Sequence, residues 1–278
     1  MRRRLELKNK KRLLAGPYLF WAVSFIIIPL LMVLYYGLTD KSGNFTLLNI
    51  AKITTPENIK ALGLSLLLSL LSTLICLLLA YPLSMILASR NVNQASFIVL
   101  LFILPMWMNF LLRTLAWQNL LEKTGVINSI LNFLHLPAWN IINTPGAIIL
   151  GMVYNFLPFM VLPIYNVLSK IDKDVISAAH DLGANNIQTF TKIIFPLSIP
   201  GIISGITMVF VPALTTFVIS DLLGGSKILL IGNVIEQEFQ QSNNWNVGSG
   251  LSMVLMIFIV ISMAMIAKYD NDGEGTTF

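Results

Sequence analysis

The sequence predicts an all-α, polytopic membrane protein with six transmembrane helices, and three observations predict it. Hydrophobic residues make up 56% of the 278 positions and charged residues only 11%, less than half the roughly 25% found in soluble domains. Mean hydropathy is +0.78. The apolar residues gather into stretches of about 20 or more, the length that crosses a hydrocarbon core. The same composition excludes disorder, which requires low hydrophobicity and high charge. It also excludes a disulfide scaffold, because Cys76 is the sole cysteine and cannot pair within the chain.

The first stretch, Gly16–Leu38, follows a basic segment at residues 1–12. It is too long for the apolar region of a signal peptide, and Leu34–Asp40 offers no small-residue cleavage site. It reads as a retained anchor. The second is Leu62–Ala88. The third, Ala95–Leu115, carries Pro105 and Arg113, and the fourth, Gly146–Val167, carries Pro158 and Pro163. The fifth, Ile199–Ser220, holds Gly201-Ile-Ile-Ser-Gly205, a small-xxx-small pair that lets helices approach closely. The sixth is Gly250–Ala267, leaving a short polar tail at 268–278. The six-helix region is thus 13–267. Proline recurs in or beside these spans (Pro29, Pro82, Pro105, Pro158, Pro163, Pro200, Pro212). Each removes a backbone donor, and broken backbone is tolerated at membrane depth where it packs on protein or lines a cavity. That pattern suits a transporter bundle better than a rigid anchor.

Orientation follows from Lys and Arg. With six spans, Arg2, Arg3, Arg4, Lys8, Lys10, Lys11 and Arg12 share a side with Arg90, Lys170, Lys173, Lys192 and Lys268. The other side has Lys41, Lys52, Lys60, Lys123 and Lys227. Positive charge accumulates in the cytoplasm, so both termini are expected there, in a multi-pass inner-membrane protein. The net charge of +5 and pI near 9.3 reflect this anchoring. Basic residues beside a span match anionic membrane lipid rather than nucleic acid.

Catalytic chemistry is thinly represented. No loop is long enough for an ordinary soluble domain, and no phosphate-cradling G-x-x-x-x-G-K-[ST] occurs. Gly224-Gly225-Ser226-Lys227 lacks the spacing. ATP, if used, must bind another chain. Ser177, His180 and Asp181 share a helical face at i, i+3 and i+4, but an exposed loop lacks the shielded pocket a nucleophile requires. No catalytic or metal-binding residue is assigned.

The loop of residues 169–200 is the most informative segment. Asp172 caps a helix over Lys173–Leu182, and Gly183 is suited to the left-handed residue that ends it. Asn185 or Asn186 caps a second helix through Ile187, Phe190, Ile193 and Ile194, which Pro196 disfavours continuing. Ala178 and Ala179 form a small apolar face able to enter a partner's groove.

These residues resemble a family. Ser177-Ala-Ala-x-x-x-Gly183, nine residues, then Ile193-x-Phe195-Pro196 is similar to the E-A-A-x₃-G-x₉-I-x-L-P loop (the EAA motif) of type I ABC importer permeases. Ser177 stands where Glu is usual and Phe195 where Leu is usual. The resemblance implies the type I permease fold and a coupling role for Ser177, Ala178, Ala179, Gly183, Ile193 and Pro196. Leu104-Pro-Met-Trp-Met-Asn109 with Arg113, Leu157-Pro-Phe-Met-Val-Leu-Pro-Ile-Tyr165, Asp181-Leu-Gly-Ala184 with Gln188-Thr-Phe190, and Ser220-Asp-Leu-Leu-Gly-Gly225 through Leu229-Leu-Ile-Gly-Asn-Val234 resemble the first permease subunit of spermidine/putrescine importers. That implies a second homologous permease, cytoplasmic ATPase subunits carrying ATP and Mg²⁺, and an extracytoplasmic polyamine-binding protein. No cofactor is expected on this chain.

A polyamine path should offer carboxylates, aromatic faces and apolar wall. Trp107, Trp117, Tyr154, Phe159 and Phe217 are the candidate aromatics, and Asp221 is the carboxylate nearest the mouth of the path. Because no acidic residue lies deep in a span, the binding protein is expected to hold the cation tightly while the path lets it pass. Arg113 lies at similar depth to Asp221, and an intramembrane arginine is normally paired, so an Arg113–Asp221 ion pair is the structural alternative. A secondary carrier would usually show inverted repeats and midplane ionisable residues, and a membrane enzyme clustered His, Asp or Glu; neither pattern is present. An importer of another small solute remains the alternative within the family.

Overall fold

The computed structural model describes residues 16–271 apart from 91 and 226. The basic segment 1–12 lies outside the described residues. In chain order the principal helices are α1 (Gly16–Leu38), α2 (Pro56–Ser89), α3 (Val92–Ile103), α4 (Phe110–Leu121), α5 (Val126–Phe133), α6 (Pro145–Leu168), α7 (Lys173–Asp181), α8 (Asn186–Thr215), α9 (Val218–Gly224), α10 (Ile231–Gln240) and α11 (Trp245–Asn271). Helix α11 takes in the start of the tail expected after Ala267. Five of these helices are long and apolar enough to cross a membrane, and six spans result if one bent pair is counted together.

That bent pair corrects the third expected span. Ala95–Leu115 is not one helix: Phe97–Trp107 and Phe110–Phe133 meet at 91°. Pro105 opens a 3₁₀ turn (Leu104–Trp107), and Met108 is extended. Asn109 then caps α4, its Oδ1 accepting from the backbone N–H groups of Leu111 (2.9 Å) and Leu112 (3.3 Å). A missing donor followed by a strong N-cap makes a break cheaper than continuity.

The expected stop at Pro196 does not occur. A capping box closes the start of α8: Gln188 N–H donates to Asn185 Oδ1 at 2.8 Å and Asn185 N–H to Gln188 Oε1 at 2.9 Å. The helix then passes through a π-helical turn, Phe190–Ile194, and continues as α-helix to Thr215. The wider turn moves the carbonyl that the Pro196 ring would otherwise meet. The same device, Val23–Ile27, precedes Pro29 in α1. Helix α8 ends before the expected Ser220. Thr216 is extended, and Gly232 of α10 abuts the freed backbone there: a Cβ on it would lie 2.7 Å from the Thr215 carbonyl oxygen.

The chain forms two compact units. The first gathers the described part of Met1–Pro56 with Ile235–Ile257. In it the chain reverses after α1 through a turn at Asp40, whose Oδ1 accepts from the backbone N–H groups of Asn44 (2.9 Å) and Ser42 (2.8 Å). These bonds hold its carboxyl below the ordinary range. The last carbonyls of α1 are capped by distant amides. Asn49 Nδ2 donates to Thr39 O at 2.8 Å, and Asn246 Nδ2 to Thr39 O at 2.7 Å and Tyr36 O at 3.2 Å.

The second unit, Glu57–Val234 with Phe258–Phe278, is built around α2, α6 and α8. Helix α2 buries a face of small residues, Ser65, Ser69, Ser72, Cys76, Ala80 and Ser84, and turns Leu67, Leu70, Leu74 and Leu78 outward. Small and hydroxyl-bearing residues, rather than bulky apolar ones, mark the packed side of a helix in lipid. Ser84 Oγ donates to Val161 O at 3.2 Å. Gly201 and Gly205 of α8 lie against α6, where Cβ atoms would sit 2.9 Å from Pro163 O and 2.6 Å from Met160 Sδ. The expected close approach at this small-xxx-small pair is present.

Candidate functional site

The 169–200 loop folds as a helix–turn–helix. Asp172 Oδ1 accepts from Asp174 N–H at 2.9 Å and starts α7. Gly183 follows α7 with φ +84°. Gly183 N–H donates to His180 O (2.9 Å) and Ala184 N–H to Ala179 O (3.0 Å), the paired bonds of a Schellman motif. Ser177 folds its hydroxyl back onto Lys173 O at 3.0 Å, so it presents no charge in place of the usual glutamate. Ser177 also lines a cleft of about 380 Å³ with Met85, Ser89, Leu168 and Lys173.

The docking face expected from Ala178 and Ala179 is only half available. Ala178 is exposed, but Ala179 is 8% exposed and turned into its own chain. The side chains that stand out are Leu182, 89% exposed, and Ile187, 74% exposed, one on each side of the glycine turn. Leu182, expected as the last residue of the helix, is its C-cap, past the last turn that packs. Ile193 is half-buried and Pro196 exposed. Phe195 packs against Tyr81 (centroids 6.0 Å) and Phe190 (6.1 Å), while Tyr81 and Phe190 meet edge to face at 5.9 Å. Tyr81 Oη also shares a 2.9 Å hydrogen bond with Ser198 Oγ. An aromatic ring in place of the family's leucine thus helps fasten the loop to α2.

The second cluster lies at α9 and α10. Asn233 is fully buried and bonds in several directions. Its Nδ2 donates to Asp221 Oδ1 (2.6 Å) and Phe217 O (3.1 Å). Its Oδ1 accepts from Ser220 Oγ (2.5 Å) and Leu230 N–H (3.0 Å). Ile231 N–H donates to Ser65 Oγ at 2.8 Å, joining α10 to α2. Partial burial pushes the Asp221 carboxyl up, and the Asn233 bond works against that rise. This carboxylate is fixed in place by one amide but not neutralised.

The Arg113–Asp221 ion pair is not formed. Asp221 is held by Asn233, and Arg113 Nη1 donates instead to Pro105 O at 2.9 Å. The 91° break accounts for this, because it ties Arg113 to the preceding segment rather than to α9. Of the candidate aromatics, Tyr154 packs edge to face on Trp117 at 5.1 Å. Phe217 adjoins the Asp221 cluster through its carbonyl. Phe159 is partly exposed, and Trp107, 77% exposed, joins none of these groups.

The comparisons with known proteins agree with one another. Residues 69–269 match the family described as binding-protein-dependent transport system inner membrane component. The chain is 38% identical over 250 residues to the spermidine/putrescine transport system permease protein PotB of Haemophilus influenzae, covering 87% of each. It is 39% identical over 245 residues to the Escherichia coli protein of that name, covering 85% of this chain and 89% of that one. In structure it is similar to a chain of a bacterial alginate ABC transporter, solved in complex with an alginate pentasaccharide-bound periplasmic protein. The TM-score there is 0.80 at 15% identity, covering 98% of each chain; at that identity the likeness speaks for the fold.

Proposed function

The chain belongs to the family of binding-protein-dependent transport system inner membrane components, and from that premise we propose that it is a permease subunit of an ATP-driven polyamine importer. The observation that carries the substrate class is the identity of 38% and 39% to spermidine/putrescine permeases over 87% and 85% of the chain. A second homologous permease completes the path, ATPase subunits supply ATP and Mg²⁺, and an extracytoplasmic binding protein delivers the polyamine. The Lys and Arg distribution supports cytoplasmic termini and, with them, a 177–196 loop on the ATPase side.

The mechanism is alternating access. Closure of the ATPase pair carries the loop around Gly183, with Leu182 and Ile187 seated in a cleft of the ATPase. The permease pair then opens toward the loaded binding protein, and hydrolysis resets it. Asp221 meets the entering cation. An ionised carboxylate that is partly desolvated and only amide-bonded gains from a passing ammonium, yet a single such group does not trap it. Tyr154, Phe159 and Trp107 are the aromatic candidates along the path.

The test is reconstitution of all the subunits. Spermidine or putrescine on the binding protein should stimulate ATP hydrolysis. Stimulation by another solute and by neither polyamine would overturn the substrate assignment. In the same system Asp221→Asn should raise the KM for uptake about tenfold, the worth of one charged hydrogen bond. Unchanged uptake at normal expression removes Asp221 from the path.

A further inference from the structure

Asn233 is fully buried and uses both the donor and the acceptor capacity of its amide. Nδ2 donates to Phe217 O at 3.1 Å and to Asp221 Oδ1 at 2.6 Å, and Oδ1 accepts from Leu230 N–H at 3.0 Å and Ser220 Oγ at 2.5 Å. Two of these partners cannot exchange roles, since a backbone N–H only donates and a carbonyl only accepts. They lock the amide in one orientation, with its nitrogen toward the acid. The frame behind it is held as well. Ile231 N–H donates to Ser65 Oγ at 2.8 Å, and Ser65 is buried in α2. Asp221 is half-buried, and among the described residues its carboxyl makes no other hydrogen bond and no ion pair. Of the helices packed on α9, α4 turns Arg113 to Pro105 O and α6 lays Tyr154 on Trp117, so neither group engages Asp221.

We infer that Asn233 is a positioning residue for transport: it holds Asp221 ionised and keeps the second carboxyl oxygen aimed at the incoming ammonium. The inference rests on the reading of Asp221 as the carboxylate that meets the cation, and adds the residue that acts through it. A free aspartate samples several rotamers, and partial burial favours its neutral acid. Either change weakens the attraction for a cation. An N–H on one oxygen opposes both, because it fixes the side chain and favours the charged form. A buried amide does so without adding charge, whereas a lysine or arginine at 233 would pair with Asp221 and repel a polyamine. An aspartate at 233 exposes the role of the nitrogen. It still accepts from Leu230 N–H and Ser220 Oγ, but it sets a second carboxyl against Asp221 Oδ1. Two carboxyls so close share one proton and titrate as a pair, the second proton leaving only at raised pH.

The experiment measures spermidine uptake across pH by the reconstituted transporter with all its subunits, wild type serving as the reference for titration of the polyamine itself. Relative to wild type, Asn233→Asp should raise KM about fivefold at about pH 6, the ratio falling as pH rises and the pair takes its second negative charge. Vmax should move less than KM. In Asp221→Asn/Asn233→Asp no carboxyl pair remains, so the added pH dependence should vanish. Ser220→Ala removes one bond from the amide oxygen and suits a helix. It should raise KM about twofold, and only while Asp221 is in place, which keeps the test decisive if the aspartate variant does not fold. If Asp221→Asn raises KM while both other single variants match wild type at every pH, the role of Asn233 alone is overturned. An effect that persists undiminished without Asp221 overturns it too, because Asn233 would then act on the fold rather than through the acid. A wild-type KM in Asp221→Asn removes Asp221 from the path, and this inference with it.

Discussion

Gly183→Val should reduce uptake at least tenfold while leaving the protein inserted and folded. The native φ is +84°, a region that a β-branched residue reaches only at a cost of about 1–2 kcal/mol or more. Nothing lies within 4 Å of a Cβ built there, so the penalty is backbone strain alone, with no clash to spread into the core. The strained turn would release the Gly183 N–H to His180 and Ala184 N–H to Ala179 bonds and re-aim Leu182 and Ile187, the two exposed side chains that flank it. Gly183→Asn provides the control, because asparagine enters the left-handed region more readily. It should keep a larger share of activity. Uptake measured alongside binding-protein-stimulated ATP hydrolysis separates coupling from assembly. Normal uptake in the valine variant would sink the coupling role of this turn.

Gly201→Leu should cost the fold itself. Its Cβ would sit 2.9 Å from Pro163 O and 3.0 Å from Val167 Cγ2, so the obstacle includes backbone, which cannot rotate away. Overpacking of this kind costs typically 1–3 kcal/mol, and more where nothing yields. Here it falls on the α6–α8 contact at the centre of the second unit. The contrast is Gly63→Leu, where nothing lies within 4 Å of the added Cβ and little change is expected. Gly205→Ala falls between, because its nearest obstacle is the flexible Met160 Sδ at 2.6 Å. Melting followed by fluorescence-detected size exclusion should rank the three as Gly201→Leu, Gly205→Ala, then Gly63→Leu, most to least destabilised. A Gly201→Leu protein as stable as wild type would show that the helices part freely there.

The two halves of the problem were unequally legible. Span positions follow from local hydropathy, a property of each segment alone, and the first expected stretch ends at Leu38 as the helix does. The Gly183 turn was readable for a similar reason, since a left-handed residue after a short helix is a local requirement. What escaped depends on comparing alternatives. Pro196 and Pro105 carry the same lesion, yet one is absorbed by a π-helical turn and the other becomes a 91° break. The difference is Asn109, which supplies a competing cap. A small apolar face on a loop helix can meet a partner or its own chain, which is why Ala179 was expected outside, and Asn233 was not singled out as the clamp on Asp221 because the two are twelve residues apart. Its role appears only once α9 and α10 are brought together.

The caps on α1 bear on how the protein is made. Helix α1 ends in carbonyls at Tyr36 and Thr39 that are satisfied in part by Asn246, about two hundred residues later in synthesis. Until that amide arrives, the end of α1 is an unfinished surface held by Asn49. Closure of this end therefore waits on a distant part of the sequence, and a chain stopped before Asn246 would leave the Tyr36 and Thr39 carbonyls one amide short.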